Sequence, residues 1–284
     1  MPNQKYSLIM ADPPWSYGNT ISNGAAADHY PTMKLIDIKR LPVWELAAEN
    51  SVLAMWYTGT HNQEAIELAE AWGFTVRTMK GFTWVKLNQN AELRINKALA
   101  EAEVTDFYDF LELLNAETRM NGGNHTRANT EDLLIATRGA GLERKHAGIK
   151  QVVYSPLGAH SEKPWEVRHR LELLYGDVPR IELFSRSAAP GWHHWGNECS
   201  SSVTLTPGMV GPSEPTPEGY ETDCAIWPAE VEMVFSAVEH DGAMTEKNKR
   251  KLKFHINRMW LEKTPIPQIV VSARSLIATM ERSS

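Results

Sequence analysis

The strongest constraint on this chain is an alternation of period. Five short apolar runs, Ser7 to Met10, Val52 to Trp56, Phe82 to Val85, Leu133 to Thr137 and Ile181 to Phe184, each have strand length and sit beside a turn or polar loop. Between them, Asn62 to Trp72 and Trp165 to Tyr175 carry apolar residues at helical spacing. Strands that alternate with helices build an α/β sheet, because each crossover helix returns the chain to the same edge of the sheet. The first two hundred residues therefore read as one α/β domain.

Two stretches depart from that pattern. Asn90 to Thr118 is rich in Ala, Leu and Glu and reads as a helical insertion of about 90–119, either a packing element or a contact to substrate. Pro207 to Thr222 carries four prolines and three glycines, the composition of a linker, which places a methodical break at 207–228 between residues 1–206 and a small, mainly helical region at 229–284. In that region Ala229 to Val238 and Thr245 to Trp260 look helical, while Ile266 to Met280 fits strand or helix. Lys247, Lys249, Arg250, Lys251, Lys253 and Arg258 make it the most basic part of the chain. Such a run is a solvated helix face or a phosphate-contacting patch.

Charge and cysteine count exclude several classes. A net charge of −6 does not advertise the broad basic surface that holds nucleic acid by counterion release, so any such contact is expected to be local. Two cysteines, Cys199 and Cys224, are too few for a disulfide framework or a four-cysteine zinc site, and no metal is expected. No run of eighteen apolar residues occurs, so a soluble, cytoplasmic protein without a membrane span is expected.

The sharpest chemical signal is Asp12-Pro13-Pro14-Trp15, just past the first expected strand. Open α/β sheets bind ligands at the carboxyl ends of their strands. Two prolines fix the backbone and remove two amide donors, leaving carbonyls free to accept. The tetrapeptide thus presents a carboxylate, a bare carbonyl and an aromatic face together. That set suits an exocyclic amine on a flat ring, such as adenine N6. Its lone pair is delocalised into the base, so a catalyst must hold both N–H groups and favour the pyramidal form. Asp12 and the Pro13 carbonyl are placed to accept those bonds, and Trp15 to stack on the base.

Asp12-Pro13-Pro14-Trp15 resembles the motif of the MT-A70 type of adenine N6-methyltransferases, which includes bacterial and phage DNA adenine methyltransferases and the catalytic subunit of the mRNA adenosine methyltransferase. Ile181 to Arg186, followed by Pro190-Gly191-Trp192 and Trp195-Gly196-Asn197-Glu198, is similar to that family's cofactor segment. The resemblance implies a Rossmann-like S-adenosylmethionine-dependent methyltransferase fold with permuted motif order, the catalytic motif preceding the cofactor motif. It implies that Asp12, Glu182, Leu183, Phe184, Arg186, Asn197 and Glu198 line the S-adenosylmethionine site, and that Lys163, in His160-Ser161-Glu162-Lys163-Pro164, neutralises the cofactor carboxylate. Tyr30, in Tyr30-Pro31-Thr32-Met33, resembles a segment closing the loop after the catalytic motif. Together with Trp15, Tyr17, His160, Lys249 and Arg250 it makes up the expected substrate contacts. Arg127-Ala128-Asn129-Thr130-Glu131 resembles a further, weaker family stretch.

The resemblance covers about Tyr6 to Glu198. What it implies is methyl transfer to adenine N6, in the manner of a phage or restriction-modification enzyme, while compactness and the lack of the zinc modules of the RNA enzyme favour DNA over RNA as substrate. RNA methylation, a catalytically inactive nucleic-acid-binding scaffold, and assembly as a homodimer or with a partner subunit are the alternatives. In duplex DNA the target base has to be flipped out, and the insertion and the basic C-terminal stretch are the candidate DNA contacts.

Overall fold

The computed structural model describes residues 4–15, 32–121, 125–158, 162–207, 209–212, 248, 251, 252, 255, 256, 259 and 264–281. The chain separates into two compact units, one of residues 1–187 with 192–221 and one of 188–191 with 222–284.

The first unit is built on a seven-stranded mixed sheet. In chain order its strands are β1 (Tyr6–Ala11), β2 (Ala47–Tyr57), β3 (Thr75–Leu87), β4 (Thr130–Arg138), β5 (Val152–Pro156), β6 (Arg180–Leu183) and β7 (His193–Trp195), arranged β5-β3-β4-β2-β1-β6-β7. β1 pairs in parallel with β2 and β6, β3 with β5, and β6 with β7, whereas β4 runs antiparallel to both β2 and β3. The reversal of β4 follows from the insertion. The chain leaves β3 at its carboxyl end, passes through helices α4 (Ala91–Ala100) and α5 (Phe107–Ala116), and returns to the same end, where Leu87 bridges Thr118. A strand entered from that end has to run the other way. The stretch expected as a helical insertion is two helices, broken at Glu101 to Asp106, where the Asp106 carboxylate caps α5 by accepting from the Tyr108 and Asp109 amides.

All five apolar runs lie on strands. The last of them ends one residue earlier than expected: Phe184 leaves the sheet with φ 61°, a left-handed conformation in which a side chain carries strain of about 1–3 kcal/mol. The central strands are covered on both faces, which is why they read as near-continuous apolar runs rather than as alternating ones. One face buries Ile9, Leu53, Met55, Leu134, Ile181 and Leu183 beneath α1 (Leu35–Lys39), α2 (Val43–Leu46) and α3 (Asn62–Ala71). α3 contributes Ala65, Leu68 and Ala69, spaced three and four residues apart on one stripe. On the other face, α6 (Trp165–Tyr175) buries Val167, Leu171 and Leu174 and is tied to β6 by a two-pronged Arg168–Glu182 ion pair. β8 (Val203–Thr206) and β9 (Met209–Pro212) form a separate antiparallel hairpin that enters the Pro-rich stretch expected as linker.

In the second unit Ile266–Glu281 forms a helix, α7, and so resolves the strand-or-helix alternative. Leu252 and Ile256 from the preceding helical residues bury against Ile269 and Ala273. The stretch Ala229 to Val238 lies outside the described residues. No helix among the described residues is long and apolar enough to cross a membrane.

Candidate active site

The carboxyl ends of β1, β2, β3 and β6 and the amino end of antiparallel β4 lie along one edge of the sheet. Parity then decides what that edge presents. Met10 and Asp12 share one face of β1, Trp56 falls on the same face of β2, and register pairs Trp56 with Leu133, two residues from Glu131. The loop that opens α6 delivers Lys163 onto this layer.

Lys163 is the centre of the arrangement. Its Nζ lies 2.8 Å from Asp12 Oδ2 and 3.1 Å from Glu131 Oε1, with only 6% of its side chain exposed. Glu131 Oε2 in turn accepts from Lys86 Nζ at 2.7 Å. Two carboxylates and two ammonium groups therefore form a chain, Lys86–Glu131–Lys163–Asp12, that is neutral as a set, the condition under which buried charges are tolerated. Aromatic faces flank it: Lys163 Nζ stands 5.8 Å from the Trp56 ring centroid, and Lys86 Nζ 5.0 Å from that of Trp84.

The environment separates the two acids. Burial, reinforced by the negative charge of Glu131, pushes the Asp12 carboxyl above its ordinary value despite the attraction of Lys163. For Glu131, burial acts in the same upward sense but is overcome by Lys163 and Lys86, which hold it below the usual carboxylate range. Lys163 loses solvation on burial and is nonetheless raised, because Asp12 and Glu131 both favour its charged form. Glu131 is thus the fixed counter-ion and Asp12 the adjustable one. Lys163 takes Asp12 Oδ2, while Oδ1 has no partner among the described residues, and 20% of the Asp12 side chain stays exposed.

The rest of the tetrapeptide forms a tight floor. The Trp15 amide donates to the Pro13 carbonyl at 2.9 Å and the Met33 amide to the Pro14 carbonyl at 3.1 Å. Each of those carbonyls retains one lone pair. The Trp15 indole is 7% exposed, donates to the Trp56 carbonyl at 3.2 Å and stacks on His61 at 5.4 Å. His61 is positioned by the turn after β2, where Thr58 Oγ1 lies 2.9 Å from its Nδ1.

The expected cofactor segment lies beside Asp12, whose amide donates to the Leu183 carbonyl at 3.3 Å. Phe184 stacks on Trp72 and meets Trp195 edge-on. Gly196 packs against the turn so closely that a Cβ there would lie 2.0 Å from the Ser185 carbonyl oxygen, so this position excludes any side chain. Beyond it, Arg186 Nε stands 3.8 Å from Glu198 Oε1, and Asn197 and Glu198 are exposed. Glu182 does not pair with Arg186. Strand alternation turns it to the α6 face, where both of its oxygens accept from Arg168 at 2.7 and 3.0 Å. Leu183 is fully buried in the core.

The structure thus brings Asp12 together with Lys163, and Arg186 with Glu198. Tyr17, Tyr30, His160, Lys249 and Arg250 lie outside the described residues. Sequence reasoning missed Lys86, Trp56 and His61, and gave Glu131 only a minor place. The available signal was positional, since Trp56 and Lys86 both close apolar runs at strand ends. Among the described residues no group of three or more His, Cys, Asp or Glu is arranged to hold a metal ion.

The family model described as MT-A70 matches residues 6–105 and 111–198. The type II methyltransferase M.MunI of Mycoplasma sp is 29% identical over 217 residues, covering 70% of this chain and 79% of that protein. The human N(6)-adenine-specific methyltransferase METTL4 is 24% identical over 196 residues, and the human N(6)-adenosine-methyltransferase catalytic subunit METTL3 is 23% identical over 208. The matches cover 68% and 72% of this chain but 37% and 30% of those longer relatives.

Proposed function

The chain belongs to the MT-A70 family, and from that premise we propose that it transfers a methyl group from S-adenosylmethionine to adenine N6 in DNA. The carrying observation is the Asp12 carboxylate at the edge of the parallel strands, with one oxygen anchored on a buried lysine and the other unpartnered among the described residues. DNA is preferred over RNA because M.MunI, a type II methyltransferase, is matched over 79% of its length, whereas METTL3, named for adenosine, is matched over 30%.

S-adenosylmethionine supplies a methyl group already activated by a sulfonium charge. The residues present fit that group: the turn after β6, closed by the tight approach of Gly196 to Ser185, sets Arg186 3.8 Å from Glu198 at an exposed rim of polar side chains. Asn197 and Glu198, exposed beside Gly196, would hold its ribose and adenine ends, with Arg186 adjacent.

The chain's own contribution is to the amine. Asp12 Oδ1 accepts one N6–H, and the second lone pair of the Pro13 carbonyl accepts the other. As the nitrogen attacks, positive charge builds on it, and these acceptors bind the charged form more strongly than the neutral one. That difference lowers the barrier, whereas uniform binding would not. Lys163, expected to neutralise the cofactor carboxylate, is instead engaged by two carboxylates of the chain and is assigned a positioning role: it fixes the Asp12 carboxylate in one orientation and is itself fixed by Glu131. Trp15, held by its stack on His61 and its bond to the Trp56 carbonyl, is assigned the aromatic surface against which the base rests. The α4–α5 insertion, with seven carboxylates against two cations over residues 90–118, is a poor platform for phosphate, so DNA contact falls to other surfaces. A cytoplasmic setting, as for a modification methyltransferase, fits this reading.

The test is Asp12→Asn. It keeps the shape of the site and removes the anionic acceptor, so transfer should fall by about 100-fold or more, while calorimetry shows S-adenosylmethionine affinity within a few-fold of wild type. Retention of most of the activity would remove Asp12 from the catalytic role.

A further inference from the structure

At the opposite end of the sheet, on the same face as α6, a cavity of about 550 Å³ lies among the amino-terminal half of β3, the carboxyl-terminal half of β4, the loop of residues 140–151 and the last turn of α6. Its origin is local. The β3–β4 register shifts twice between Val76 and Phe82, and Gly81 lies so near Ile135 that a Cβ there would come within 2.5 Å of its Cγ1. The irregular strand leaves the sheet face open where a regular one would fill it. The volume falls within the range of about 300–1,000 Å³ typical of small-molecule sites.

The lining is one-sided in charge. Val52, Phe82 and Leu174 supply apolar surface, while Arg77, Lys80, Arg144 and His146 supply cations or a titratable ring, and among the described residues no Asp or Glu lines the cavity. In a chain of net charge −6 this is not the average surface. Arg77 spends its Nε on Thr137 Oγ1 at 2.8 Å. Among the described residues no carboxylate lies within ion-pair distance of Arg77 or Arg144, and Lys80 has only Asp132 at 3.6 Å. Tyr175, a further lining residue, has its phenol raised by burial, with Arg144 opposing that rise.

Two guanidinium groups that meet no carboxylate among the described residues, beside an apolar floor, match an anion that carries a flat apolar body. Guanidinium is the group that binds phosphate oxygens in pairs. We propose that this cavity is a second ligand site and that it takes a nucleotide, with its base on the apolar floor beside Tyr175 and its phosphate on Arg77 and Arg144. The site is separate from the Asp12 layer: Thr137 lies six residues along β4 from Glu131, about 20 Å at the rise of an extended strand. Free nucleotide and a nucleotide unit of a nucleic-acid strand share this chemistry.

The probe is guanosine monophosphate, which carries no adenine for the Asp12 site, titrated calorimetrically into the full chain at low salt. The expected result is saturable binding, with guanosine and inorganic phosphate each at least ten-fold weaker. Arg77→Gln with Arg144→Gln, both at exposed positions, should weaken binding at least ten-fold. Ala147→Trp, which fills the cavity without changing charge, should do the same, and Asp12→Asn should leave it unchanged. Competition by a short single-stranded oligonucleotide would identify the source as a strand, and absence of competition as free nucleotide. No saturable binding in the millimolar range, loss of binding in Asp12→Asn, or undiminished binding in Ala147→Trp would overturn the proposal.

Discussion

Replacing Lys163 by Met removes the one cation shared by two buried carboxylates and keeps most of the side chain's volume. Asp12 and Glu131 each lie within hydrogen-bond distance of Lys163 Nζ, at 2.8 and 3.1 Å, so they stand roughly 6 Å apart or less. At an effective dielectric constant of about 20, two unit charges at about 6 Å repel by about 3 kcal/mol. That agrees with the roughly 3–5 kcal/mol lost when one partner of a buried ion pair is removed. The three side chains are 6%, 20% and 8% exposed for Lys163, Asp12 and Glu131, so solvent screening takes little from this figure. The sign of the pH dependence follows. Lys163 is raised in the folded state, so its contribution is complete below its ordinary pKa of 10.5 and is lost only as pH rises through the raised value. In the Lys163→Met protein the remaining carboxylates repel, which raises at least one of them. The loss of stability should therefore be full at pH 7–8 and shrink as pH falls toward 5 and that carboxylate takes up a proton. Urea unfolding of wild type and variant across this range measures it, and Lys163→Met combined with Glu131→Gln should recover a large part of the loss at pH 7. A loss below about 1 kcal/mol at pH 7, or one independent of pH, would refute the buried-chain reading.

Other outcomes follow from the same geometry. Because burial and Glu131 raise Asp12, the acid limb of the transfer rate should fall at a pH above the ordinary carboxylate value, and a limb at or below 3.8 would contradict that environment. Arg168→Met leaves Glu182 buried without its two-pronged partner and should cost about 3–5 kcal/mol in denaturant unfolding, with Glu182→Gln in the same chain restoring part of it. Gly196→Ala drives a Cβ into the Ser185 carbonyl and should lower stability by about 1–3 kcal/mol, and cofactor affinity with it. Wild-type affinity in that variant would mean that the turn after β6 does not shape the cofactor site.

Much of this architecture was legible before any coordinates. The five apolar runs announced five strands because a strand covered on both faces has few polar positions, and Asn62 to Trp72 and Trp165 to Tyr175 announced α3 and α6 by spacing. The short strands were not legible: β5 carries Tyr154 and Ser155, and β7 is His193-His194-Trp195, so neither has the composition of a core strand. They form because neighbouring strands offer parallel edges, which is tertiary information. The site divides in the same way. Asp12 and Trp15 stood out because Pro13 and Pro14 leave a rare backbone. Glu131 and Lys86 did not, because an isolated acid or lysine at a strand end is ordinary, and their partnership exists only because β4 enters the sheet reversed. Glu182, placed beside Arg186 in the expected cofactor segment, turns away from it for a related reason. Four residues along the chain look adjacent, but the turn at Phe184 and the alternation of β6 send the two side chains apart.

The central claim is best tested by incubating the purified chain with isotopically labelled S-adenosylmethionine and, separately, unmodified duplex DNA, single-stranded DNA and RNA, then digesting each polymer and identifying labelled nucleosides by mass spectrometry. The account predicts label as N6-methyladenine in DNA, abolished in Asp12→Asn. Label confined to RNA would contradict the choice of substrate, and label on another base or atom, or at equal levels in Asp12→Asn, would contradict the chemistry assigned to the site.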